Sequence, residues 1–269
     1  MNKFERAIVC FSGGHSSALV AIEAVRKYGK NNVVLLNHNI SSHVEHEDIK
    51  RFKEDISNYC DVPITYANAP DFETLTPLET CIRRKGFSAG THQTFCTYEL
   101  KTKPFYKHLE QIPRNDGVHI LYGFDQFETD RIGRRSSKIH AMGYMPDFPL
   151  AYWDRSIEKT EDIGVKRPAT YRIYKHANCI GCLKAGRQHW YTVYCTRPDI
   201  FEEAKQAEEQ IGYSIIKGIY MAELEQKFQE MKEQKHICPN DKTNPATFWA
   251  MVENMLPEQE SIFPCDCSF

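Results

Sequence analysis

Two groups of residues in this sequence have the types and spacing to do chemistry. The first is Ser12-Gly13-Gly14-His15-Ser16-Ser17, set between the apolar run Ile8–Phe11 and an apolar stretch of helical spacing that reaches Val25. Glycines there let the backbone turn and approach a ligand with no Cβ in the way. The first N–H groups of the following helix then face the turn with the positive end of the helix dipole, and serine hydroxyls add donors. That constellation suits phosphate. It is neither G-x-x-x-x-G-K-[ST] nor G-x-G-x-x-G, so neither fingerprint applies. The second group is Cys179-x-x-Cys182, with Cys195 beyond a helix-like segment at Gly186–Tyr194. Two thiolates on one turn are a metal-binding pattern, and four sulfurs would close a tetrahedral site.

Positioning these groups falls to strands and helices that alternate. Arg6–Phe11, Val33–His38, Pro63–Asn68 and Val118–Gly123 are β-rich apolar runs separated by helical segments. The pattern predicts an α/β fold, a doubly wound and mostly parallel sheet covered on both faces. Ligands of such sheets sit beyond the carboxyl ends of the strands, which singles out the loops after Phe11, Leu36 and Tyr122. The segment that opens at Asn37 is therefore placed near the ligand. Its His38, His43 and His46 lack ligand spacing, and its acids (Glu45, Glu47 and Asp48) read as dipole partners of a helix start, so no metal is expected there. From Pro149 the period is lost across a stretch carrying aromatics, prolines and cysteines, and helical spacing returns in Pro198–Ile211, Tyr220–Gln234 and Pro245–Met255. The expected division is an α/β core over 1–150 and, over 151–269, a cysteine-bearing segment with a helical C-terminal region packed on the core.

The chain has 269 residues, 41% of them hydrophobic, and a net charge of -2. Its mean hydropathy is -0.54, and no run of about 18 apolar residues offers a membrane span. The N-terminus enters a strand-like segment without a cleavage-site pattern, which predicts a cytoplasmic protein without a signal peptide. Near-neutral charge gives no whole-molecule attraction to nucleic acid. In a reducing compartment, ten cysteines are ligands, reactive thiols or packing residues before they are disulfides. Cys10, Cys60 and Cys81 read as packing residues. His236, Cys238, Cys265 and Cys267 form a second group near the C-terminus, read as a small zinc site or, for the last two, mobile thiols.

Directly after the first strand, the Ser12–Ser17 loop resembles the pyrophosphate loop of the N-type ATP pyrophosphatases, Ser-Gly-Gly-x-Asp-Ser. Ser12, Gly13, Gly14 and Ser17 match, His15 fills the variable position, and Ser16 stands where the pattern has Asp. Three further blocks resemble the phosphoadenosine phosphosulfate (PAPS) reductase-like branch of that PP-loop superfamily. Cys96…Lys101…Pro104 is similar to its Cys-x-x-x-x-Lys-x-x-Pro segment. Gly123…Glu128…Arg131 is similar to its Gly-x-Arg-x-x-Glu-Ser-x-x-Arg segment, with Asp125 where an arginine is usual. Pro149-Leu150…Trp153…Tyr171…Gly181-Cys182 follows its later stretch in order and rough spacing. The resemblance runs from about Ile8 to Cys195; the family's Glu-Cys-Gly-Leu-His motif is absent.

The resemblance implies an adenine nucleotide alpha hydrolase-like fold and an adenine nucleotide, ATP or a relative, held by Ser12, Gly13, Gly14, His15, Ser16, Ser17, Asn37 and Gly123, with Mg2+ as an accompanying ion. It implies catalytic roles for Lys101, Glu128 and Arg131. It adds Cys96 to Cys179, Cys182 and Cys195 as the fourth ligand of a [4Fe–4S] cluster, zinc being the alternative for the same sulfurs. The expected activity is ATP-dependent sulfur transfer through an adenylated intermediate, with release of AMP and pyrophosphate. The alternatives are a sulfonucleotide (PAPS or APS) reductase and a non-catalytic nucleotide-binding partner of a modification complex. The sulfur acceptor is left open between tRNA, DNA and a small molecule, as is a homodimer. Arg83-Arg84-Lys85 and Arg134-Arg135 face either a nucleic acid or solvent.

Overall fold

The computed structural model describes residues 5–88, 93–115, 117–177 and 179–255. Five strands form one sheet: β1 (Arg6–Cys10), β2 (Val33–Asn37), β3 (Ile64–Tyr66), β4 (Val118–Leu121) and β5 (Met145–Asp147). All neighbours pair in parallel, in the order β3-β2-β1-β4-β5. The chain thus builds outward from β1 on one side and then on the other, which makes the gap between β1 and β4 the switch point, where ligands of open α/β sheets bind.

Alternation along the central strands explains the two covered faces, because successive side chains point to opposite sides. Ala7, Val9 and Phe11 pack with Val33 and Leu35 against α1 (His15–Tyr28) and α2 (Glu47–Cys60). Ile8 and Cys10 face the other way with Leu36 and Ile120. That face is covered from α5 (Lys103–Leu109) and α6 (Thr129–Ala141). Between β3 and α5 lie α3 (Pro77–Arg83), α4 (Phe95–Thr97) and a π-helical turn at Tyr98–Thr102.

The aperiodic stretch after α6 folds back on the sheet layer. α7 (Pro149–Tyr152) leads into a segment whose Trp153, Ile157, Ile163 and Val165 pack against the α1 cluster. Glu23 of α1, fully buried, anchors it by accepting from the Ser156 N–H and hydroxyl at 2.5 and 2.6 Å. The last four helices are α8 (Arg187–Thr196), α9 (Pro198–Ile211), α10 (Met221–Gln229) and α11 (Pro245–Met255). Their core is built on Trp190, Phe201, Phe228 and Phe248, and it takes in Ile40, Val44, Leu78 and Cys81 from the first half of the chain. The cysteine-bearing turn around Ile180 sits in that same cluster.

Two expectations about strands change. The run Pro63–Asn68 shortens to the three-residue edge strand β3, and β5, a strand that periodicity does not signal, forms the other edge. Its centre is Pro146, tolerable only because an edge strand needs no second ladder partner. No helix among the described residues is long and apolar enough to cross a membrane. Cys265 and Cys267 lie outside the described residues.

Candidate functional site

A cavity of about 580 Å³ opens at the switch point, between the loop after β1 and the loop after β4. Ser12, Gly14, His15, Ser16 and Ser17 line it on one side, Gly123, Glu128 and Arg131 on another, and Lys101 closes a third. Of the residues expected at a nucleotide, only Gly13 and Asn37 lie off this lining. Both work beneath it. Asn37 is buried and its Nδ2 donates to the Phe11 carbonyl at 2.5 Å, bracing the ends of β1 and β2; its Oδ1 is buried without a partner among the described residues. Gly13 turns the chain with φ +81°, and a Cβ on it would stand 2.8 Å from Lys53 Cγ. Lys53 is buried there because its ammonium bonds both Glu45 oxygens at 3.0 Å.

The start of α1 makes one wall of the cavity cationic without a formal charge. Helix geometry leaves its first N–H groups without intrahelical partners. Among the described residues no side chain caps this end, and its first turn holds no acid. The His15 N–H donates to the Tyr171 hydroxyl at 3.0 Å, which fixes Tyr171 as a wall of the cavity. The Ser17 hydroxyl donates to the Gly14 carbonyl at 2.8 Å, and Ser12 donates to Ser17 at 3.3 Å. His15 itself accepts from the Thr160 N–H at 3.4 Å, and burial, followed by the Arg167 charge, holds its pKa below the usual histidine value. It is therefore a neutral spacer at the helix start.

Formal charge enters from α6 and from the π-helical turn. Arg131 pairs with Glu128 and lies over the Phe124 ring at 4.1 Å, and Arg135 lies over Tyr122 at 5.2 Å. Asp125 spends its carboxylate on the turn, accepting from the Phe127 N–H at 2.8 Å, while its own N–H donates to Glu128 at 3.2 Å. Glu128 is thus a positioning group for Arg131. Arg135 was legible as half of a basic pair; its place on the cavity comes from α6, which turns Ile132 and Ile139 inward. Gly123 permits the close approach of the two loops, since a Cβ there would stand 3.1 Å from the Ser16 carbonyl carbon. Gly123→Ala is expected to cost roughly 1–3 kcal/mol of stability by overpacking, which a thermal melt checks.

A smaller pocket of about 50 Å³ adjoins this cavity, lined by Cys96, Cys179 and Cys182. Lys101 and Thr97 line both spaces. The cysteine sulfurs, Cys179 foremost, push the Lys101 pKa up against the opposing effect of burial. Behind Cys96 stands Cys81, whose thiol hydrogen-bonds it and draws the Cys96 pKa below the usual thiol range, whereas burial pushes Cys179 up to about 11. The Cys182 N–H donates to His189 Nε2 at 3.3 Å, and His189 Nδ1 lies 2.9 Å from Asp241, so the cysteine turn is pinned to α8. As the side chains stand, no three metal-binding groups among the described residues are gathered into a single-ion site.

Cys195 does not join these sulfurs, which corrects its expected place as a ligand. The rise of α8, about 1.5 Å per residue, carries it roughly 12 Å beyond Arg187, to the far end of the helix. Its neighbours there are Tyr191, Lys232 and Cys238. Cys81, read from sequence as a packing residue, is the sulfur next to Cys96 instead. Cys60 is buried as expected, while Cys10 lines the nucleotide-sized cavity with its pKa pushed up to about 12 by burial. The histidines of the loop after β2 have other partners: His38 meets the Ala67 carbonyl, His43 meets Glu203 at 2.7 Å, and His46 caps α2.

Compared with known proteins, the chain matches no family model, no curated protein and no solved structure.

Proposed function

We propose that this chain is a PP-loop enzyme of the PAPS reductase-like kind that activates an acceptor with ATP and transfers sulfur to it. The observation that carries this is Lys101, which lines both the cavity suited to a nucleotide and the pocket of cysteines. Nucleotide chemistry and sulfur chemistry share one cation. The N-terminus of α1 with Ser12, Ser16 and Ser17 receives phosphate oxygens, and Arg131 and Arg135 neutralise charge that develops as pyrophosphate leaves. An acceptor oxygen attacks the α-phosphorus, giving an adenylated acceptor and pyrophosphate; sulfur then displaces AMP. Lys101 holds the anionic sulfur donor on the cysteine side. The cavity carboxylates Asp125 and Glu128 are already engaged, so Mg2+ would arrive bound to the phosphates rather than on a protein cage.

The sulfur donors fit a [4Fe–4S] cluster in kind: Cys96, Cys179 and Cys182 line one pocket, and Cys81 is the fourth sulfur at hand. When bound, such a group would supply redox capacity and a point of attachment for sulfur. Zinc takes the same donors, but the side chains do not stand as a single-ion site.

Sulfonucleotide reduction is the second reading and needs a nucleophilic thiolate at the nucleotide. Among the described residues Cys10 is the cysteine that lines that cavity, and burial pushes its thiol pKa up to about 12, which among those residues favours ATP-dependent transfer. The deciding experiment incubates anaerobically purified protein with ATP, PAPS or APS and measures AMP, pyrophosphate and sulfite. AMP with pyrophosphate supports the proposal, and sulfite from PAPS or APS supports reduction. Nucleotide binding without turnover would assign the chain to the non-catalytic class.

A further inference from the structure

A second large recess, about 610 Å³, lies on the other side of Tyr171 from the nucleotide-sized cavity. Arg51, Lys166, Arg167, Arg172 and Lys242 line it. Its two acids are already used. Glu161 is paired with Arg167 at 2.7 Å, and Asp48 is taken by Arg51 and by the Ala169 N–H at 2.5 Å. Lys166, Arg172 and Lys242 make no ion pair among the described residues. A recess with that charge excess concentrates anions even on a chain whose net charge is -2, because low-dielectric walls focus the field.

We infer that this recess seats the phosphodiester backbone of a single-stranded nucleic acid that is the acceptor for the neighbouring cavity. Three features favour a strand over one small phosphate. The cations come from three separate places in the chain, α2, residues 166–172 and the approach to α11, so they are spread along the recess rather than converged on one point. Among the described residues no glycine lines it, and the helix starts that do are already spent, that of α2 capped by His46 with Asp48 in its first turn and the Ala169 N–H donating to Asp48, so a free backbone cradle for a single phosphate is missing. Tyr171 belongs to both spaces, so a strand held in the recess would present its next nucleotide at the start of α1, where the activating phosphates are placed. An aromatic wall at that junction also suits a base, which can stack on it. This assignment of the acceptor rests on the nucleotide reading given above; the cationic recess itself does not.

The test is anisotropy of labelled single-stranded RNA and DNA 20-mers over a salt series, with the wild-type chain and with the Lys166→Gln, Arg172→Gln, Lys242→Gln variant. The wild type is expected to bind with a steep salt dependence. The variant should bind about tenfold more weakly or worse, with a slope shallower by about 2, because each strand phosphate contributes about 0.7. A parallel Arg83→Gln, Arg84→Gln, Lys85→Gln variant should bind like wild type. ATP affinity, measured separately by calorimetry, should be the same in all three proteins. Equal oligonucleotide binding by wild type and the recess variant overturns the inference, as does no binding by the wild type. So does displacement of the strand by stoichiometric pyrophosphate, which would mark the recess as a small-phosphate site. Absence of ATP binding to wild type, with the strand data intact, would instead sink the nucleotide reading and leave the recess standing.

Discussion

Gly13→Ala protein is expected to lose on the order of 3 kcal/mol of stability, while Gly14→Val protein is expected to keep its fold and to lose the affinity for ATP that the proposed function requires. The two glycines are adjacent and look equivalent, but their surroundings differ. Gly13 has φ +81°, where an L-residue pays roughly 1–2 kcal/mol. Its added Cβ would also fall 2.8 and 2.9 Å from Lys53 Cγ and Cδ. Lys53 cannot swing away cheaply, because it is buried and its ammonium is committed to Glu45. Disturbing a buried pair costs up to about 3–5 kcal/mol. Gly14 sits at φ -87° and ψ 158°, open to any residue, and the nearest atom to its Cβ would be Tyr171 Oη at 3.5 Å. A valine there projects between Ser12, Tyr171 and Ala177, all cavity lining. ATP affinity should fall on the order of a hundredfold, about 2.7 kcal/mol, with at most about 1 kcal/mol of stability lost at the helix start. Denaturant melts separate the first protein from wild type, and calorimetry separates the second. An intact Gly14→Val affinity would make the loop a structural turn and nothing more.

The same pair of residues shows how far the sequence could be read. That Ser12–Ser17 forms a turn from strand to helix followed from local rules, since β-rich alternation, glycines and a helical period are all properties of a few consecutive residues. The bounds of α9 and α11 were legible for the same reason: Pro198 and Pro245 each sit at a helix start, where a missing N–H is harmless. What the sequence hides is everything set by contact across the chain. Nothing local says that Gly13 rests on Lys53, that Tyr171 receives the His15 N–H, or that Asp125 is used up by its own turn. The edge strand β5 was invisible because three residues around a proline carry no period. Cys195 misled for a related reason. Spacing along the chain made it a neighbour of Cys182, but α8 converts the steps from Arg187 to Cys195 into about 12 Å along one axis.

That helix gives the last expected result. Anaerobically purified wild-type protein should contain iron and acid-labile sulfide and absorb broadly in the visible, as thiolate-bound iron–sulfur centres do. Cys182→Ser and Cys96→Ser proteins should lose most of that iron, because each removes a sulfur from the small pocket beside Lys101. Cys195→Ser should keep it, since its side chain lies with Tyr191 and Cys238 at the far end of α8. Cys81→Ser is the sharpest of the set. Its sulfur is wholly buried against Cys96, so it has no route to solvent and no reason to react on its own; if it completes the sulfur set, iron falls with it. Because a buried cysteine also packs, the Cys81→Ser melt must be compared with that of Cys60→Ser, a buried thiol whose shift comes from burial alone. Iron lost from Cys81→Ser but kept in Cys60→Ser at similar stability identifies a ligand. Iron kept in Cys182→Ser and lost in Cys195→Ser would mean that the sulfurs meet somewhere other than beside Lys101, and the link between nucleotide and sulfur through that lysine would fall with it.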